Sequence, residues 1–208
     1  MSRESERLPA WLAVSRETHA KLCLHWALVE KWTPAVNLIS AASIAEGWKR
    51  HVLDSAQVWF AAPVEKGRWV DIGSGGGFPG LIAAIIAQER APDVVFTLIE
   101  SDRRKATFLA EAARQLHLSL EVRAERVNRI HDLVASVVSA RALAPLDALL
   151  AEAKHLLGPS GVAVFPKGQS YQAELLDARR RWSFDCDVIP SRTDDRSVVL
   201  RIRDVLDA

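Results

Sequence analysis

The chain has 208 residues, 49% of them apolar, with a formal net charge of +1. That length and composition suffice for one full core and suit a single domain with an extra segment, so one active site is expected. The near-neutral charge excludes a whole-molecule attraction to nucleic acid and confines any such affinity to local basic clusters.

The first 20 residues carry Arg3, Glu4, Glu6, Arg7, Arg16 and Glu17 among short apolar stretches. This is neither a signal peptide nor a transit peptide. From Leu8 to Phe60, apolar residues such as Leu22, Trp26, Leu28, Val29 and Trp32 recur at three- and four-residue spacing and predict helices packed on a core. Thr33-Pro34 is expected to interrupt them, because a residue before proline resists the α conformation. Asn37-Leu38-Ile39-Ser40 reads as a connector into a helix ending near Phe60, with Pro63 and Gly67 closing the segment.

The texture then changes. Arg68 to Gly73 predicts a strand, a glycine loop follows, and Leu81 to Gln88 predicts a helix. Val94 to Glu100 is the next strand, Arg103 to Leu116 a helix, and Ser119–Arg123 and Val134–Ser139 two further strands. Ala148–Leu157 reads as helix, Gly158-Pro159-Ser160-Gly161 as a turn, Val162–Pro166 as the fifth strand and Ala173–Trp182 as the last helix. Strands alternating with helices imply parallel strands with right-handed crossovers. Phe184–Ile189 and Ser197–Ile202 flank a polar stretch and predict an antiparallel pair. The expected division is a helical extension over residues 1–66 on a doubly wound α/β domain over 67–208, one folding unit overall.

The longest substantial apolar run, Leu81 to Ala87, falls far short of the roughly 18 residues that a membrane span needs. A cytoplasmic protein without a membrane partner is therefore expected. Cys23 and Cys186 are the only cysteines and read as buried reduced thiols; they cannot build a disulfide framework or a multi-cysteine metal site.

Asp71-Ile72-Gly73-Ser74-Gly75-Gly76-Gly77 lies between strand and helix, where glycines let backbone approach a ligand. Gly75-x-Gly77-x-x-Gly80, with Glu100 twenty residues on, also fits a dinucleotide fingerprint, so spacing leaves both nucleotide readings open. An acid at Asp71, Pro79 at the helix start and the lack of a following phosphate-pairing lysine favour S-adenosylmethionine, whose ammonium group welcomes an acid that would repel a pyrophosphate. Glu100 can accept both ribose hydroxyls in either case.

Asn37-Leu38-Ile39-Ser40, Arg50-His51-Val52-Leu53-Asp54-Ser55, Asp71 through Gly80, Arg123-Ala124-Glu125, Ala140-Arg141-Ala142 and Pro166-Lys167-Gly168 occur in this order. In this combination the chain resembles the bacterial glucose-inhibited division protein B family, the 16S rRNA guanine-N7 methyltransferases. The resemblance implies a class I methyltransferase fold, S-adenosylmethionine as cofactor, and as substrate a guanine in the decoding-region loop of small-subunit rRNA. Carried over, the family's cofactor contacts fall on Gly73, Phe78, Ala124, Glu125 and Arg141, beside Asp71, Gly75 and Glu100 from the residues themselves. The chain departs from the family pattern in its run Gly75-Gly76-Gly77 and in the polar stretch Gln88 to Asp93.

Guanine N7 has a free lone pair and no proton, so methyl transfer to it needs positioning rather than a base. No catalytic base and no metal are expected. His51, three residues before Asp54, reads as one partner of a structural hydrogen bond with that acid. For RNA, the expected contacts are Arg123, Arg141 and Lys167, with the 16S rRNA or small subunit as partner of a monomeric enzyme. The competing readings are an NAD-type oxidoreductase and a cofactor-sensing RNA-binding protein without turnover.

Overall fold

A computed structural model describes residues 7–62, 64–141 and 144–208. Pro63, Ala142 and the charged residues Arg3, Glu4 and Glu6 named above lie outside the described residues. Seven strands form one sheet: β1 (Lys66–Ile72), β2 (Asp93–Ile99), β3 (Leu120–Arg123), β4 (Ala135–Ser139), β5 (Leu157–Lys167), β6 (Trp182–Pro190) and β7 (Val198–Asp207). Their spatial order is β3-β2-β1-β4-β5-β7-β6. The first five are parallel, and β7 runs antiparallel between β5 and β6. Order reverses between β1 and β4, and this switch point is where a doubly wound sheet opens a crevice at the C-terminal ends of its strands.

The helices divide between the faces. One core gathers α1 (Arg16–Val36), α2 (Asp54–Ala61), α3 (Gly80–Arg90) and α4 (Arg103–Gln115) around Trp26, Trp59, Ile82 and Phe108. The other gathers α5 (Leu146–Lys154) and α6 (Tyr171–Ala178) with Leu149, Phe165, Trp182 and Leu200. Every residue from Gly80 to Ala87 is buried, because α3 lies between the sheet and the N-terminal helices and has no wet face until its last turn. That last turn is polar for a reason: Glu89 accepts from the Ser15 amide and the Thr18 hydroxyl, and Arg90 donates to the Ala13 carbonyl. The polar last turn of α3 thus fastens the start of α1.

Three expectations are corrected. α1 runs through Thr33-Pro34 to Val36. Pro34 lies two residues from the helix end, so the one hydrogen bond it removes leaves almost no helix beyond it to break, and the turn closes on Asn37, whose amide bonds the Thr33 carbonyl at φ 53°. Gly158 to Gly161 lies inside β5 rather than before it. The turn residues still act: the β5 partner jumps from Leu157 to Val162 while β4 advances only from Ala135 to Val137, so the segment bulges. The last helix also ends earlier than expected, at Ala178, and Trp182 opens β6. Residues Trp48–Leu53 form a wider π-helical turn leading into α2. Among the described residues no helix is long and apolar enough to cross a membrane.

Candidate active site

The glycine loop leaves β1 at the switch point and is stapled to its neighbour strand. The Ser74 amide donates to the Ile99 carbonyl at 3.1 Å, and the Gly75 amide to Glu100 Oε2 at 2.9 Å. Glu100 Oε1 accepts from the Asp102 amide at 2.8 Å, so the carboxylate links two loops while keeping lone pairs for further donors. Gly77 has φ +86°, and a Cβ there would stand 2.5 Å from Leu81 Cδ1; it is a packing glycine. Gly75 has φ +51°, yet a Cβ there would meet only the Gly73 carbonyl, at 3.8 Å. Its surroundings are open, as close approach by a ligand requires.

Behind the loop stands His25 of α1, which the sequence reading passed over. Its Nε2 lies 2.9 Å from the Gly76 carbonyl. A carbonyl only accepts, so Nε2 carries the proton, and burial holds this ring neutral with a pKa near 4. The signal was its place between Leu22 and Val29 on the inward face of the helix.

Asp71 is fully buried at the end of β1. Its Oδ1 accepts from Ser139 Oγ at 2.5 Å, and that hydroxyl accepts from the Trp69 indole at 2.8 Å. Oδ2 lies against Gly80 at the start of α3, where an added Cβ would come within 2.7 Å of it. Burial raises the Asp71 pKa to about 6 against the lowering effects of Ser139, Ser74, the Gly80 amide and Arg141. The acid therefore lies buried beneath the helix terminus.

Two small adjoining cavities lie at the C-terminal ends of β2 and β3. Ala124, Glu125 and Arg126 line one with Ser101 and Asp102. The other, of about 240 Å³, is walled by Gly73, Ile99, Ser101, Glu125, Val127 and Glu152. A separate open basin of about 1410 Å³ includes Lys49, Arg50, His51, Arg141, Lys167 and Arg196 in its lining.

Two of the basin's cations, Arg141 and Lys167, already have protein partners. Arg141 donates to the Arg50 carbonyl at 2.8 Å and to His51 Nδ1 at 2.7 Å, and its guanidinium lies 5.1 Å from the centre of the Phe78 ring. Because Arg141 only donates, His51 Nδ1 must accept; the proton sits on Nε2, 3.0 Å from Ser43 Oγ, and that hydroxyl passes its own proton to the Ser40 carbonyl at 2.8 Å. Burial, then the charges of Arg141 and Arg50, hold the His51 pKa near 3. His51 is structural as expected, but its partners are Arg141 and Ser43 rather than Asp54, which accepts from Gln57 and Thr193. Phe78 is buried between His25, His51 and Arg141, so its ring supports these groups.

Lys167 was expected to be available to RNA. Its side chain is 9% exposed and its ammonium donates to Glu174 at 2.7 Å and the Ala144 carbonyl at 2.9 Å. Arg123 forks onto both oxygens of Asp132 at 2.7 and 2.8 Å and also donates to Glu121 at 2.7 Å. Both charges are compensated within the protein.

Strand order, a glycine loop at the switch point and an acid at the end of β2 together define a class I S-adenosylmethionine-dependent methyltransferase. Solved structures agree in fold: a protein from Listeria monocytogenes described as a member of that class covers 89% of this chain and 68% of its own, with a TM-score of 0.62 at 10% identity. MtNAS, in a mutant complexed with S-adenosylmethionine, covers 91% and 79%, with a TM-score of 0.59 at 14% identity. The family model for rRNA small subunit methyltransferase G, GidB, matches residues 18–197, and the chain belongs to that family. Proteins named ribosomal RNA small subunit methyltransferase G from Ruegeria sp. and Cereibacter sphaeroides are 48% and 45% identical to it. The alignments cover 93% and 98% of this chain and 94% and 98% of those proteins.

The residues present fit S-adenosylmethionine better than a dinucleotide. Open space over Gly75 and the spare lone pairs of Glu100 suit a nucleoside. Asp71 beneath the α3 terminus opposes the pyrophosphate that a dinucleotide would place there. Among the described residues no group of three or more His, Cys, Asp or Glu side chains could hold a metal.

Proposed function

We propose that this enzyme methylates N7 of a guanine in the decoding-region loop of 16S rRNA. The observation that carries the reading is the occupied lone pair of His51. Of the described residues lining the basin it is the one histidine, and its only basic nitrogen is held by Arg141. A nucleophile bearing a proton would need a group to remove it; guanine N7 does not.

When bound, S-adenosylmethionine supplies a methyl group on a positively charged sulfur. Glu100 would hold the ribose, Gly73 and Gly75 would let the backbone approach, and Ala124 and Glu125 would border the adenine. Arg141, standing between the loop and the basin, would orient the guanine or the cofactor carboxylate through its fixed fork. Asp71 would act through its field and its hold on the α3 start. We assign RNA contact to Arg141 together with basic groups around the basin, and give Lys167 and Arg123 the task of fixing the basin floor and the β3 edge. Residues 1–66 serve in this reading as a helical extension of one folding unit, in a cytoplasmic monomer acting on rRNA of the small subunit. Labelled-methyl transfer to unmodified small subunits, followed by mapping of the modified atom, tests it: label at guanine N7 supports the reading, and label on an oxygen or exocyclic amine overturns it.

A further inference from the structure

A further acidic side chain stands at the cavities beside the glycine loop. Glu152 lies in the third turn of α5, on a helix whose inward residues Leu146, Leu149, Leu150 and Ala153 are all buried. Its Oε2 is buried and has no hydrogen-bond partner. The residue lines the 240 Å³ cavity together with Gly73, Ile99, Ser101 and Val127. Burial raises its pKa, opposed by the charge of His155 one turn along, and Glu125, Arg126 and Asn128 line the same cavity. A bare acceptor of this kind is destabilising until a donor arrives.

We propose that Glu152 recognises the cofactor's base, its Oε2 accepting a hydrogen bond from the 6-amino group of adenine. The inference rests on S-adenosylmethionine occupying the loop as described above. Its donors are the ribose hydroxyls, the ammonium and the 6-amino group. Glu100, at the end of β2, takes the first. The cavity walled by Ile99, Ser101 and Val127 lies on the β2–β3 side, away from the α3 terminus, so the base enters it and presents its amine to Glu152. A 6-oxo purine would instead set an acceptor against an acceptor.

Calorimetric titration of the full chain with S-adenosylhomocysteine, S-inosylhomocysteine and 5′-methylthioadenosine tests this, with thermal unfolding confirming that each variant is folded. E152A should weaken the two adenine ligands by about tenfold and the inosyl ligand less than about twofold. E152Q, whose amide offers both an acceptor and a donor, should hold S-adenosylhomocysteine within about threefold of wild type and bind the inosyl analogue more tightly than wild type does. Equal losses for adenosyl and inosyl ligands, no loss, or a loss confined to ligands bearing the ammonium would each overturn the assignment. Failure of the wild type to bind S-adenosylhomocysteine would overturn the cofactor reading beneath it.

Discussion

The two halves of the crevice are prepared differently. Around the glycine loop, polar groups are left with capacity: Gly75 faces open space, Glu100 retains lone pairs and Glu152 Oε2 is bare. Across Arg141, in the basin, Lys167 and Arg141 already have protein partners. A small, chemically constant ligand can be met by groups held waiting for it. A large polyanion brings enough charge to compete for cations, and cations paired in advance stay in place without it.

The strongest way to break this comparison is on the loop side. Gly75→Val puts a β-branched residue at φ +51° and fills the open space, with strain on the order of 1–3 kcal/mol, so S-adenosylhomocysteine affinity should fall roughly 100-fold in a protein that still folds. Titration of the folded variant checks it, and unchanged affinity would move the ligand off the loop.

Next in size is Arg141→Ala, which separates the halves. Loss of its bonds to the Arg50 carbonyl and His51 should cost about 1–3 kcal/mol of stability and lower single-turnover rate at least about tenfold. The stability cost comes from the contacts that Arg141 makes with the N-terminal segment. NMR should also find the His51 pKa rising from about 3 toward its ordinary value once the neighbouring charge is gone.

Asp71→Asn should act on the loop with opposite signs for stability and binding. The folded-state pKa of about 6 lies above the ordinary 3.8, so the folded protein favours the protonated acid. Its contribution to stability is fully present below about pH 3.8 and is lost as pH rises through 6, amounting to roughly 3 kcal/mol at most. Asparagine is always neutral and escapes this loss. The variant should be as stable as wild type or more so at pH 7.5 while binding cofactor less tightly, as thermal unfolding and titration would report. The smallest effect belongs to Arg123→Ala: with its charge already taken by Asp132 and Glu121, RNA affinity in filter binding should change by less than about twofold.

Much of the fold was legible because it is written in local pattern: the strand and helix alternation, the loop at Gly73 to Gly77 and the acid at Glu100 all come from neighbouring residues. The side-chain partners were not. Arg141 and His51 are 90 positions apart, and nothing in Arg50-His51-Val52 says that an arginine beyond β4 will occupy the imidazole. Lys167 illustrates the same gap at short range, since a lysine before a glycine at a strand end reads as exposed until α6 returns Glu174 to it. Glu152 was hidden for another reason: a single acid on an amphipathic helix reads as a solvated face, and only the cavity reveals its bare oxygen.

Methyl transfer without an enzymic base is tested most directly by a single-turnover pH profile with saturating RNA and cofactor. The expected chemical step is nearly flat from about pH 6 to 9, with substantial activity kept by folded His51→Ala. A rate falling with unit slope below a pKa of about 6.5, with that slope lost in His51→Ala, would show that a histidine takes a proton from the nucleophile and would contradict it.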